Sequence, residues 1–152
     1  MKRCLVIISL LSIALPALAY NLDDLSSRNL VAQAWKALAN REQGVVHYAA
    51  DKCIELYSKE ADKQQRQLRD FAPKGKVFEY WALNDVAVAY FIKGQAYIDE
   101  DKYEDAKKVF RIIARRYKFA QCWDPQGWFW KVAEAARKEI KAIEEFEGGV
   151  FN

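Results

Sequence analysis

A single histidine among 152 residues narrows the chemistry open to this chain. A Ser–His–Asp relay or a zinc centre needs a histidine with partners at matching spacing. His47, beside Tyr48 in a stretch of helical periodicity, has none, so a structural place on a helix is expected for it. No CxxC pair, P-loop or glycine-rich phosphate cradle occurs. Asp99, Glu100, Asp101, Glu104 and Asp105 do crowd together, and two carboxylates at the right separation suffice for glycoside hydrolysis. The run continues, however, into Lys107, Lys108, Arg111, Arg115, Arg116 and Lys118. Acids at a helix start and bases at its end complement the helix dipole, so one gradient accounts for both runs. No catalytic residue, cofactor or metal site is predicted, and the chain reads as a non-enzyme.

Trp123, Trp128 and Trp130, with Phe129 between them, form the second notable concentration. Their rings could stack on sugar faces or anchor a partner protein. The bulk of tryptophan favours the plainer role of plugging space between helices. Cys53 and Cys122 remain once the leader described below is removed. Two readings stay open for them: a disulfide closing a long loop in an oxidising compartment, or two buried thiols used as small apolar residues.

The elements that must position these residues begin after a leader. Lys2 and Arg3 precede the apolar run Cys4–Leu15, which is too short to span a bilayer; Pro16 follows, and Ala17-Leu18-Ala19 has the form of a signal-peptidase site. Residues 1–19 are thus expected to be a signal peptide of bacterial type, with the mature chain periplasmic or secreted and without a membrane span. The chain carries 24 Lys and Arg against 21 Asp and Glu, so losing Lys2 and Arg3 leaves a net charge of about +1. That balance gives no footing for nucleic-acid binding.

Apolar residues then recur at helical spacing. Leu30, Val31, Ala34, Trp35 and Leu38 form one stripe, capped by Ser26 or Ser27. Val46, Ala49, Ala50, Cys53, Ile54 and Tyr57 form a second, in a helix predicted to continue through the charged stretch to about Phe71. Pro73-Lys74-Gly75 ends it. After an apolar connector through Trp81, Asn84 or Asp85 is placed as the cap of a helix reaching about Asp99. Asp101 and Glu104 have capping-box spacing for the next. Asp124-Pro125-Gln126-Gly127 has turn chemistry, a last helix is expected over about 129–146, and 148–152 should be a loose tail.

The segment AYFIKGQAYIDEDKYEDAKKVFRIIARRY, residues 89–117, resembles a tetratricopeptide repeat. Tyr90, Gly94, Tyr97, Tyr103, Ala106 and Phe110 occupy the family's signature offsets; Lys93 and Lys118 depart from it. Ala34 and Ala50 align with Gly94 and Phe110, giving a degenerate first repeat. The resemblance implies an all-α domain over 20–147: two helical hairpins (about 28–71 and 84–119) stacked as a solenoid and closed by a C-terminal capping helix. In this family the first helix of each hairpin lines a concave groove. Transferred by offset, that groove comprises Val31, Trp35 and Leu38, then Val88, Phe91, Gln95, Ile98 and Asp99, with Trp35 and Phe91 as apolar anchors. The same groove could instead be filled by the chain's own N-terminal segment or the long helix of the first repeat.

The implied function is a protein-interaction or scaffold module of the cell envelope that binds a peptide or helix. The alternatives are self-association through a solenoid end, and a carbohydrate- or cell-wall-associated protein using Trp123, Trp128 and Trp130. Short secreted repeat proteins similar to this one sometimes carry glucanase-type names, from which no activity follows for so small a chain.

Overall fold

The computed structural model describes residues 19–150, with the side chain of Val150 left aside. The expected signal peptide lies almost wholly outside the described residues, as do the last two residues. The described part is mostly helical with one small sheet: α1 (Ser27–Ala39), α2 (Gln43–Gln67), a 3-10 segment (Lys74–Tyr80), α3 (Trp81–Asp99), α4 (Tyr103–Arg116), β1 (Gln121–Asp124), β2 (Trp128–Lys131) and α5 (Val132–Val150). No helix among the described residues is long and apolar enough to cross a membrane.

Ser26 caps α1, its hydroxyl accepting from the Asn29 N–H at 3.4 Å. α1 folds back onto α2 through a turn at Asn40–Glu42, and α3 onto α4 through a turn at Glu100–Lys102. The two turns share one backbone design. Arg41 (φ 59°) and Asp101 (φ 57°) both adopt the left-handed region. The next amide reaches back to the helix in each: Glu42 N–H to Ala37 O at 2.9 Å, Lys102 N–H to Tyr97 O at 2.8 Å. The pairs Ala37/Tyr97, Arg41/Asp101 and Glu42/Lys102 share the offset that relates Ala34 to Gly94. A left-handed residue after the helix end satisfies carbonyls that would otherwise be orphaned.

α3 is the hub, packing on α1, α2, α4 and α5. Its close approach to α4 depends on Gly94, where a Cβ would collide with the fully buried Phe110 ring. Leu30, Ala34, Ala37, Val46, Ala49, Ala50, Cys53, Ile92 and Ala106 complete the fully buried centre of the hairpins.

Several sequence expectations are corrected. α2 stops at Gln67, short of Phe71, because Leu68 turns extended (ψ 142°). α3 starts at Trp81, so Asn84 and Asp85 are inside the helix. The Gln64 side chain, reaching across from α2, accepts from the Leu83 N–H near the start of α3 (2.9 Å). Buried Asn84 ties two other segments together, donating to Val77 O (2.9 Å) and accepting from the Gln121 N–H (2.9 Å). Asp101 and Glu104 form no capping box; Lys102 precedes α4 with no side-chain cap, and Glu104 pairs with Lys107.

The tryptophan stretch is a β-hairpin rather than a loop leading into a helix at 129. β1 and β2 pair antiparallel, with Trp123 opposite Phe129 and Cys122 opposite Trp130. Pro125-Gln126-Gly127 forms the tip: Gly127 (φ 110°) donates its N–H to Asp124 O at 2.9 Å, and Asp124 Oδ1 accepts from the Gln126 N–H at 2.8 Å. A turn followed by a glycine at positive φ is a favoured three-residue hairpin connection. α5 then begins at Val132 and continues through residues 148–150, which were expected to be loose. Among the described residues Cys53 and Cys122 are free thiols: Cys53 is enclosed in the helical core, whereas Cys122 lies on the hairpin.

Candidate functional site

The hairpin lies against the face where α1 and α3 meet. Trp35 of α1 approaches Phe91 of α3 (ring centroids 6.5 Å), and Phe91 in turn contacts Phe110 (5.5 Å) and Trp130 of β2 (5.2 Å). Trp130 thus occupies part of the space that the sequence left open between the two helices. Trp35 and Phe91 are half-buried. A cavity of about 450 Å³ remains beside them, walled by Trp35, Phe91, Trp130 and the β1 residues Cys122, Trp123 and Asp124.

A second cavity of about 630 Å³ lies on the other side of β1, sharing Cys122 and Trp123 with the first. Its walls include Val31 and Ser27 of α1, Phe78 of the 3-10 segment, and Trp81, Asp85 and Val88 of α3. Trp81 packs edge-on to Tyr57 at 5.5 Å, while Phe129 contacts both Phe78 (5.5 Å) and Trp123 (5.0 Å). Phe78, Trp81, Trp123 and Trp128 are all exposed. Clefts of this size with aromatic walls and a few polar groups are the usual form of ligand sites.

The residues transferred onto the groove divide. Val31, Trp35 and Phe91 reach the cavities, but Val88 is only 1 % exposed and lines the larger one alone. Leu38, Gln95, Ile98 and Asp99 line neither cavity; Asp99 instead accepts from Gln43 Nε2 at 3.4 Å near the helix turns. Trp123 and Trp130, set apart in sequence as a separate aromatic site, belong to the same surface as Trp35 and Phe91. Trp128 points to solvent without lining either cavity.

Sequence reasoning missed Asp85, Phe78 and Trp81 as site residues. The signal available was the run Val77–Asp85, in which Phe78, Tyr80 and Trp81 are followed one helical turn later by Asp85. Burial holds the Asp85 carboxyl above the ordinary carboxylate range, against the opposing hydrogen bond from Ser27 Oγ (2.5 Å) and the charge of Arg28. Burial also pushes the Cys53 thiol up to about 12 and the Cys122 thiol to about 11, so neither is a ready nucleophile at neutral pH.

His47 is remote from these cavities. Its Nε2 meets Glu100 Oε1 at 3.0 Å and its ring lies 4.9 Å from that of Tyr97. Lys102, foremost, and then His47 hold Glu100 below its usual range. The arrangement ties the N-terminal part of α2 to the α3–α4 turn. Among the described residues no group of three His, Cys, Asp or Glu is placed to hold a metal ion.

No protein-family model, curated protein or solved structure matches the chain.

Proposed function

We propose that the chain is an exported, tetratricopeptide-like interaction module that binds a segment of a partner protein on the α1–α3 face. The export part of this reading rests on the leader-like residues 1–19. The repeat part rests on the 89–117 signature together with the matching turns at Arg41 and Asp101. The observation that carries the binding reading is the pair of aromatic-walled cavities meeting at Cys122 and Trp123. A partner side chain entering either cavity would rest on rings already held by their neighbours, so little ordering cost attaches to them. An extended segment fits better than a continuous helix, because β1 divides the trough.

The test is crosslinked capture from envelope extract by the mature chain, followed by reconstitution with the purified partner. Trp35→Ala/Trp123→Ala is the variant of choice; Phe91 is avoided because its ring also supports Phe110 and Trp130. Loss of a reconstituted complex in a folded variant supports the groove. Equal binding by parent and variant rejects it. A second reading, carbohydrate association, draws on the exposure of Trp123 (42 %) and Trp128 (49 %) at the hairpin surface. Fluorescence quenching by a soluble wall polysaccharide, lost in Trp128→Ala, would favour it.

A further inference from the structure

The larger cavity contains a charge that its surroundings leave largely uncompensated. Asp85 reaches it from α3 and is mostly withdrawn from water. Among the described residues Ser27 Oγ is its one hydrogen-bond donor, and no ammonium or guanidinium forms an ion pair with it. Arg28 also lines the cavity but forms no ion pair with Asp85; it acts through space, from an exposed position where water and salt screen its charge. The neighbouring amides are already committed to the fold: Asn84 to Val77 and Gln121, and Gln121 Nε2 to Ala72 O at 3.0 Å.

Trp81, Trp123 and Phe78 wall the same space. Tyr57 and Phe129 fix these rings in place before any ligand arrives. The face of an aromatic ring attracts a cation, most strongly when water is excluded. A carboxylate left short of partners in a desolvated wall does the same. A neutral apolar ligand would satisfy the rings and leave Asp85 as it is; an anion would be repelled by it.

The geometry points to a binding site for an alkylammonium group, its carbon envelope against Trp81, Trp123 and Phe78 and its charge toward Asp85. Free quaternary ammonium ions and the side chain of a lysine share this chemistry. The site does not depend on the proposed groove function, since a small cation would bind whether or not a protein partner exists.

Calorimetric titration of the mature chain tests it with two cations, choline and N-acetyl-lysine methylamide. Each is paired with a neutral counterpart, 3,3-dimethylbutanol and N-acetyl-norleucine methylamide. At least one cation is expected to bind about tenfold more tightly than its counterpart. Asp85→Asn, which keeps an acceptor for Ser27, should remove that preference. Trp123→Leu should weaken the cation by a similar factor. The tighter of the two cations tells a free quaternary ammonium ion from a chain-borne lysine. Equal binding of cation and neutral counterpart, an unchanged Asp85→Asn variant, or binding of an oligosaccharide with no response to either cation overturns the assignment. Should Trp123→Leu fail to fold, the comparison of charged and neutral probes on the parent protein still decides.

Discussion

Gly94 shows how much one side chain can decide. Its missing Cβ is the space into which the Phe110 ring fits, and Phe110 is fully buried with nowhere to retreat. Alanine is the better helix former by up to about 1 kcal/mol, but here overpacking works against that gain and costs about 1–3 kcal/mol. Gly94→Ala is therefore expected to lower stability by about 1–2 kcal/mol in denaturant titration, whereas Gly44→Ala, with open space around it, should be neutral or stabilising. A Gly94→Ala protein as stable as the parent would mean that α3 and α4 can separate freely. Asp85 supplies a pH-dependent counterpart. Its folded-state carboxyl is raised, first by burial, with Ser27 and Arg28 opposing. A raised carboxyl contributes stability that is fully present below the unfolded value, near 3.8, and is lost as pH rises through the higher folded value. Melting temperatures of the parent and Asp85→Asn should thus converge in acid and separate above it, with the variant the more stable near neutrality. A difference that stays constant with pH would remove Asp85 as its source.

At the scale of elements the hairpin is the part that the helices alone could not supply. Phe129 on β2 supports Phe78 from the 3-10 segment and Trp123 from β1, so one ring links three pieces of chain. Phe129→Ala should cost about 2 kcal/mol, below the range for a fully buried phenylalanine because the ring is half-exposed. Hydrogen exchange should rise over residues 121–131 while α1–α3 stay protected. Uniform loss of protection would show that the hairpin unfolds only with the whole molecule. The helical hairpins were legible in the sequence because Leu30, Ala34, Ala106 and Phe110 repeat at a single period and are buried as that period requires. The hairpin was not, because Trp128-Phe129-Trp130 is too short for a period of two to show. The Asp-Pro-Gln-Gly turn is legible, but the aromatic residues on both sides of it, which suit strands, read equally well as packing or as a stacking surface. The α2 end was misread for another reason: the residues from Lys59 onward favour helix, and tertiary bonds such as Gln65 Oε1 with the Phe119 N–H (3.1 Å) are invisible to local propensity.

On the scale of the whole molecule, two helical hairpins leave an apolar end, and α5 covers it. Val132, Ala133 and Ala136 are fully buried and Ile143 nearly so, against α3 and α4. Lys107 bridges Glu104 of its own helix to Glu147 of α5 at 2.6 Å, Arg111 approaches Glu144 at 3.5 Å, and the Tyr103 and Phe146 rings meet at 5.5 Å. The Arg111–Glu144 pair is exposed and sets the position of α5 more than its strength; Lys107 is itself buried between its two carboxylates, and the apolar residues hold the helix. Burial of a valine and an isoleucine contributes about 1.5–3 kcal/mol each, and each alanine methyl under about 1 kcal/mol. The sum is comparable with the whole net stability of a small domain, about 5–15 kcal/mol. A chain ending at Lys131 should therefore melt without a cooperative transition or associate through the uncovered face, as calorimetry and sedimentation would show. Restoring α5 as a separate peptide should recover cooperative melting if its role is to cover the apolar end. A truncated chain that melts cooperatively, as a monomer, at the parent's temperature would mean that α1–α4 and the hairpin close their own core and that α5 is free to serve a partner.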